Sequence, residues 1–171
     1  MLCAALQVLY NYGRFGHALE FGYSEQNIAG IFRANAHRYG PLSIHYFANN
    51  FFYHYLAYPF PFSRDTWWGG SLFLMTPLYF AAFWAFKLTP GASRWLLWSL
   101  WIACALIALP SLLVNGTGWV QIGPRYTVDF APFLLILVAI GMKGWPVWLI
   151  ALSSFISFGH YGYGLFPKVF S

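Results

Sequence analysis

The feature that most constrains this chain is a series of long apolar stretches that contain almost no charge. The clearest is residues 95–114, in which no side chain is charged and only Pro110 interrupts the run. An apolar helix of about 20 residues is long enough to cross the hydrocarbon core of a bilayer. The stretch therefore predicts a transmembrane helix.

Three further stretches approach the same length, and a shorter one begins the chain. Prolines inside them are compatible with membrane helices, because neighbouring groups can satisfy the carbonyls that a proline leaves free. The pattern predicts an all-α fold, a polytopic transmembrane bundle of about four spans plus a partial N-terminal span. The additional spans are residues 67–86, 126–142 and 145–160, and the partial span is residues 1–12.

Composition supports a bilayer as the main partner. Hydrophobic residues make up 60% of the chain and charged residues 8%, whereas soluble domains carry roughly 25% charged residues. Aromatic residues reach 23%, as expected for helices anchored at both headgroup levels. The net charge of +5 is not gathered into a basic run or face, so nucleic acid is not an expected partner.

Short basic loops predict the orientation of the bundle. Lys87 and Arg94 lie between two predicted spans, and Lys143 lies between the next two. Short loops rich in Lys and Arg mark the cytoplasmic side. We therefore expect a multi-pass plasma membrane protein in which the long loop 13–66 and the segment 115–125 are extracytoplasmic.

Within the long loop, residues 42–58 have apolar and polar positions spaced three or four residues apart. This spacing is helical, and the low charge of the segment favours an amphipathic helix at the membrane interface. Pro41 and Pro59 are suitable boundaries for it. The alternative is a helix that packs on the bundle.

Four segments in a fixed order carry a resemblance to a known family. They are YNYGRFGHALEFGYSEQN (10–27), the helix 42–58 with YPFPFSRD, WWGGSLFLMTPLYFAAFWAF (67–86) and GTGWVQIGPRYTVDFAPFLLIL (116–137). Together they resemble the C-terminal half of bacterial GT-C-type membrane proteins, similar to dolichyl-phosphate-mannose-protein mannosyltransferases.

The resemblance implies transfer of a sugar from a lipid-phosphate donor to an acceptor at the outer membrane face. In that family the catalytic acid lies in the first extracytoplasmic loop, upstream of the matching region. No catalytic residue is therefore assigned to this chain. We expect the chain to be part of a longer protein and to be inactive alone, since residues 1–10 look more like the end of a membrane helix than like a signal peptide.

Two other functions are compatible with the same bundle. One is a transporter or flippase subunit, although transporters commonly contain paired broken helices or inverted repeats, and no internal repeat is detectable here. The other is a non-catalytic membrane scaffold, or the remnant of a larger gene.

The segment 123–129 contains the first candidate substrate-binding residues. Arg125 and Asp129 are four residues apart, so they would share one face of an α-helix and could pair. A guanidinium group matches phosphate oxygens in a fork, and Asp129 could position it beside Tyr126. An ion pair that closes the end of the bundle would explain the same spacing.

Arg14 and Glu20, with Glu25 close by, form the second candidate group. Paired carboxylates can act as acid and base in glycosyl chemistry. Solvated loop charges, or partners for Arg33 and Arg38, explain these residues more simply.

The five histidines show no metal-binding spacing, so neither a metal nor a cofactor is expected. His45 and His54 are nine residues apart in the predicted interfacial helix, and both are expected to extend towards headgroups. The tripeptide Asn115-Gly116-Thr117 matches an N-glycosylation pattern, which at three residues is a weak signal.

Overall fold

The all-α prediction is confirmed in the computed structural model of the chain. Regular secondary structure in the described part is helical, and extended backbone pairs there only at two isolated bridges, Leu42–Val114 and Trp68–Gln121. The chain forms two compact units, residues 1–41 and 42–171. The structure describes residues 2–18, 30–58, 60, 68–89, 91–118, 121 and 123–169.

The first unit contains α1 (Leu2–Phe15) and α2 (Gly30–Tyr39). Helix α1 extends beyond the predicted span 1–12 and ends at Gly16, whose φ of 73° is readily adopted by glycine. The N–H of Gly16 donates to the carbonyl of Tyr12 at 2.9 Å, which closes the last turn. Helix α2 lies inside the long loop, at a position where the sequence did not predict a helix.

The second unit begins with a composite helix of three consecutive geometries. A 3₁₀ turn (Ile44–Tyr46) leads into α3 (Phe47–Phe51), and a π-helical stretch (Phe52–Leu56) follows. These pieces occupy most of the segment 42–58 that was predicted to be helical. Ser43 caps the start, because its hydroxyl accepts a hydrogen bond from the N–H of His45 at 3.2 Å.

The predicted span 67–86 is divided into three pieces. Helix α4 (Leu72–Met75) is followed by a 3₁₀ turn (Pro77–Phe80) and then by α5 (Ala81–Leu88). Pro77 has no N–H, so the helical hydrogen-bond ladder cannot continue through it. This proline accounts for the break.

Helix α6 (Arg94–Leu113) corresponds closely to the predicted span 95–114. Among the described residues it is the one helix that is long and apolar enough to cross a membrane, a property that the core helix of a soluble protein can share. The all-α character is thus present, and the predicted bundle of about four spans is not confirmed beyond this helix.

The last two predicted spans also differ from simple membrane helices. The segment 126–142 is a 3₁₀ stretch (Arg125–Asp129) followed by α7 (Ala131–Met142). Proline is tolerated in the first turn of an α-helix but not in its interior, so Pro132 prevents α7 from extending back through residues 125–129. Those residues form a 3₁₀ helix instead. Helix α8 (Val147–Val169) is long, but His160, two tyrosines and several glycines lower the hydropathy of its second half.

The core lies between α5, α6 and α7, and its tightest contact joins α5 to α7. Ala81 and Ala85 are fully buried, and a Cβ atom at Gly141 would overlap the carbonyl of Ala81. Small residues allow two helix backbones to approach closely, which is a common mode of association in membranes. The buried cluster comprises Leu72, Ala81, Ala82, Ala85, Leu97, Leu100, Cys104, Ala108, Phe130, Leu134, Leu137 and Val138.

The two short loops of the second unit lie at the same end of the helices. A Cβ atom at Gly144, in the α7–α8 connection, would lie 3.1 Å from Leu88 at the end of α5. Lys87, Arg94 and Lys143 therefore belong to one end, which we call the basic end. The end of α6 at Leu113, next to the composite helix, is called the polar end.

Candidate functional site

Asn50 fixes the composite helix to the polar end of α6. Its side chain is fully buried, and Nδ2 lies 3.4 Å from the carbonyl oxygen of Ser111, 3.2 Å from that of Leu112 and 2.8 Å from that of Val114. The last carbonyls of a helix have no partner within the helix, so a side-chain amide donor stabilises them. This contact also positions His54, one turn further along.

His54 lies in the π-helical stretch and points into the interior. Its Nε2 lies 3.4 Å from the carbonyl oxygen of Thr117. A carbonyl only accepts hydrogen bonds, so Nε2 carries the hydrogen and Nδ1 is left as an acceptor. Burial lowers the pKa of His54 because it disfavours the charged imidazolium, while the hydrogen bond to Thr117 acts in the opposite direction.

Gln121 folds the connection between α6 and α7 back on itself. Its side-chain amide donates to the carbonyls of Thr117 and, at 3.3 Å, of Trp68. Its Oε1 accepts a hydrogen bond from the backbone N–H of Arg125 at 3.1 Å. The residue therefore connects the buried Thr117 to the start of the 3₁₀ stretch.

Two side chains from that stretch cover this connection. At Gly118, with φ of 112°, a Cβ atom would lie 3.1 Å from Cε2 of Tyr126 and 3.4 Å from Nη2 of Arg125. A side chain at position 118 would strain the backbone and crowd both residues. Glycine is therefore what allows Tyr126 and Arg125 to lie against the loop.

The structure brings Arg125 and Tyr126 together with His54. The Cζ atom of the exposed Arg125 lies 5.4 Å from the centre of the Tyr126 ring, which is a cation–π contact. The same ring is 6.1 Å from the centre of the His54 ring. A surface cation, an aromatic ring and buried polar groups thus form one continuous arrangement.

Asp129 does not join Arg125 as the spacing predicted. The two residues lie on a 3₁₀ stretch, in which residues three apart align and residues four apart diverge by about 120°. Both are exposed, and within the described part of the chain they form no ion pair with each other. The expectation of a shared helix face was wrong because it assumed α-helical geometry.

The second candidate group is described only in part. Arg14 lies at the end of α1, where it donates to the hydroxyl of Tyr10 at 2.8 Å and lies 5.1 Å from the centre of the Phe15 ring. Glu20 and Glu25 lie outside the described residues. The described contacts of Arg14 are therefore with residues of α1, in the first unit.

Sequence reasoning missed the buried polar residues of the site. His54 was expected at the headgroups with His45, but His45 is exposed whereas His54 is fully buried. Thr117 was noticed only as part of a glycosylation pattern. The signal in the sequence that could have indicated Thr117 is its position between two glycines. In the structure both of them, Gly116 and Gly118, have positive φ.

His160 of α8 is a second buried histidine. Its Nδ1 lies 3.1 Å from the carbonyl oxygen of Met75, and its Nε2 lies 2.8 Å from the hydroxyl of Tyr58. In an α-helix the donor to this carbonyl would be the N–H of Tyr79, which instead donates to the carbonyl of Thr76 at 3.0 Å. His160 therefore satisfies a carbonyl at the broken helix.

Comparison with known proteins leaves this site to be interpreted from its own chemistry. No protein-family model, curated protein or solved structure matches the chain. Among the described residues, no three His, Cys, Asp or Glu side chains form a group that could hold a metal ion. The features to explain are an exposed guanidinium group, an aromatic ring and a buried cluster in which Nδ1 of His54 and Oγ1 of Thr117 have no hydrogen-bond partner among the described residues.

Proposed function

We propose that this chain is a multi-pass membrane protein that binds a lipid-linked sugar phosphate at its polar end. In this proposal it serves a GT-C-like sugar transfer from a lipid-phosphate donor at the outer membrane face. The observation that carries the proposal is the exposed guanidinium group of Arg125, held on Tyr126 beside the buried cluster around Thr117.

Exposed apolar side chains support a lipid environment. On α6, Trp95 is 78% exposed and Leu106 is 65% exposed. On α8, Val147 is 81%, Phe155 73% and Phe158 76% exposed. Soluble monomers seldom expose large apolar patches, whereas lipid tails solvate such side chains directly.

The lengths of the broken helices are compatible with several spans. A 3₁₀ helix rises about 2.0 Å per residue and an α-helix about 1.5 Å, so Arg125–Asp129 and α7 together extend about 28 Å. The pieces from α4 to α5 extend about 26 Å on the same basis. The hydrocarbon core is about 30 Å thick. These lengths are compatible with crossings by both composite helices, which supports the proposed multi-pass arrangement.

The distribution of cations supports the orientation. Lys87 lies 5.2 Å from the centre of the Trp84 ring at the basic end, an arrangement typical of interface anchors. Placing this end in the cytoplasm puts Arg125 at the outer headgroup level. Lipid phosphates lie at that level, and the guanidinium fork matches their oxygens.

The proposal is tested by binding of polyprenyl phosphate to the chain in lipid nanodiscs. We expect Arg125→Ala to weaken binding by about tenfold or more, because a charge-assisted contact to phosphate is worth about 1.5–3 kcal/mol. Arg125→Lys should be intermediate, since lysine keeps the charge and loses the fork. Arg94→Ala is the matched control, because Arg94 is also exposed but begins α6 at the basic end.

Equal affinity of the wild type and Arg125→Ala would contradict the proposal. So would a loss of the same size in Arg94→Ala, because binding would then depend on total charge and not on the site. Circular dichroism of each variant checks that the helices are retained.

A further inference from the structure

A groove lies along one face of α6 at the basic end of the second unit. Its volume is about 400 Å³, and its lining residues are Gly91, Arg94, Trp95, Trp98 and Ile102. Positions 94, 95, 98 and 102 share one face of an α-helix. From Arg94 to Ile102 the helix rises by about 12 Å. The groove therefore extends from a cation into the apolar part of the helix.

Contacts with α5 and with the connection that follows it hold the groove in shape. The ring of Trp98 is 4.9 Å from the ring of Phe86 in α5. At the mouth, Nε of Arg94 donates to the carbonyl of Thr89 at 3.2 Å, which fixes the guanidinium group beside the α5–α6 connection. Its two Nη groups make no hydrogen bond with the described residues. A Cβ atom at Gly91 would meet nothing within 4 Å, so the mouth is open and has donors at its edge.

No carboxylate among the described residues neutralises Arg94. The one acidic residue that the structure describes is Asp129, which lies at the polar end. Lys87 and Lys143 add two further cations at the basic end. An anion from outside the described part of the chain therefore suits this mouth.

The shape and charge of the groove together fit an anionic amphiphile. A guanidinium group binds phosphate oxygens in a fork. An aliphatic chain that packs on the exposed Trp98 and Ile102 removes apolar surface from water. Trp95, exposed beside Arg94, suits the headgroup level, where indole rings accumulate. In the proposed orientation this end faces the cytoplasmic leaflet, whose anionic phospholipids attract Lys and Arg.

We infer that this groove binds one anionic phospholipid of the inner leaflet, with its phosphate on Arg94 and an acyl chain along Trp98 and Ile102. The inference rests on the membrane orientation of the proposed function, but it concerns the opposite end of the helices. The bound lipid fixes the α5–α6 connection at the leaflet, because the same guanidinium group contacts both the phosphate and the carbonyl of Thr89.

The site is tested by titrating the chain in detergent with phospholipids and counting bound lipids by native mass spectrometry. We expect one phosphatidylglycerol to bind about tenfold more tightly than phosphatidylcholine with the same acyl chains, because choline neutralises the phosphate charge. Arg94→Gln should reduce this ratio below about threefold, since it removes the charge that selects the anion. Lys143→Gln, which removes a cation at the same end but outside the groove, should keep the ratio.

A second pair of variants tests the position of the acyl chain. Ile102→Trp fills the apolar part of the groove and leaves Arg94 in place. It should weaken phosphatidylglycerol binding by about tenfold, since each methylene group displaced from an apolar site costs affinity. Leu106→Trp is the matched control, because Leu106 is exposed one turn further along α6 and lies outside the groove. sn-Glycerol 1-phosphate, which has the phosphate without the chains, should not compete.

Three results would overturn the inference. Equal affinity of the wild type for the two phospholipids would mean that the groove does not select an anion. Competition by sn-glycerol 1-phosphate would mean a site for free phosphate. A dimer that is lost in Ile102→Trp would mean that a second copy of the chain covers the groove. Circular dichroism of each variant checks that the helices are retained.

Failure of this inference is distinguishable from failure of the proposed function. If Arg125→Ala leaves polyprenyl phosphate binding unchanged while Arg94→Gln loses the preference for phosphatidylglycerol, the polar-end site is refuted and the groove stands. The reverse pair of results refutes the groove alone. In nanodiscs, phospholipid is in large excess over polyprenyl phosphate and keeps the groove occupied, so Arg94→Ala remains a control for the polar end.

Discussion

The side-chain amide of Asn50 lies 2.8 Å from the carbonyl oxygen of Val114, 64 residues further along the chain. This contact holds the composite helix against the end of α6. The same nitrogen lies within hydrogen-bond distance of the carbonyls of Ser111 and Leu112, so its two hydrogens are shared among the last carbonyls of α6 and that of Val114.

We predict that Asn50→Ala destabilises the chain by about 1–3 kcal/mol, because it leaves buried carbonyls without a donor. Thermal unfolding in detergent measures the loss. The control is Asn49→Ala, since Asn49 is exposed and donates from Nδ2 to Oδ1 of Asn50 at 3.5 Å, so its removal leaves the Asn50 amide donor to α6 in place. Similar losses in both variants would mean that the amide does not anchor α6.

Gly141 provides a test of the α5–α7 contact. Gly141→Ala should destabilise the chain by about 1–3 kcal/mol or more, because the added methyl group overlaps the backbone of Ala81 and forces the helices apart. Gly159→Ala is the matched control in α8, where a Cβ atom would meet nothing within 4 Å. An unchanged unfolding temperature in Gly141→Ala would contradict the close packing.

The buried His54 predicts a pH dependence of stability. Its pKa is lowered in the folded state, so the unfolded chain takes up this proton first as the pH falls. Stability contributed by neutral His54 is therefore fully present above about pH 6.5, the usual pKa of histidine, and is lost as the pH falls below it.

Unfolding temperatures at pH 7.5 and pH 5 test this prediction. His54→Gln should show a smaller decrease than the wild type, because glutamine does not titrate. His45→Gln, which changes an exposed histidine, should retain the wild-type decrease. A decrease of wild-type size in His54→Gln would exclude His54 as its source.

Membrane topology is tested by cysteine labelling in cells. In a variant with Cys3→Ser and Cys104→Ala, we expect Val128→Cys to react with a membrane-impermeant maleimide added outside, since Val128 is 67% exposed near the polar end. Lys143→Cys should react only after the membrane is opened. Labelling of Lys143→Cys from outside would reverse the proposed orientation.

Local sequence patterns predicted α6 almost to the residue, because twenty apolar positions leave few alternatives to a single helix. They failed where a distant partner decides the geometry. The break at Pro77 is stabilised from α8, because Nδ1 of His160 donates a hydrogen bond to the carbonyl of Met75. Nothing near Pro77 in the sequence indicates this.

The candidate site likewise contains some residues that local sequence patterns indicated and others that they could not indicate. Arg125 and Tyr126 were both candidate substrate-binding residues in the sequence, and the structure places the guanidinium group against the ring. Asp129 could not be placed, because spacing alone does not distinguish an α-helix from a 3₁₀ helix. His54 and Thr117 are 63 residues apart, and periodicity carries no information about such a pair.

The stripe of small residues on α5 has a consequence for biosynthesis. Ala81 and Ala85 are covered by α7, which is made only after the whole of α6. The α5–α6 hairpin therefore leaves the ribosome with this stripe still uncovered. Assembly of the second unit has to wait for Gly141 to arrive, so the order of synthesis makes α7 the helix that closes the bundle.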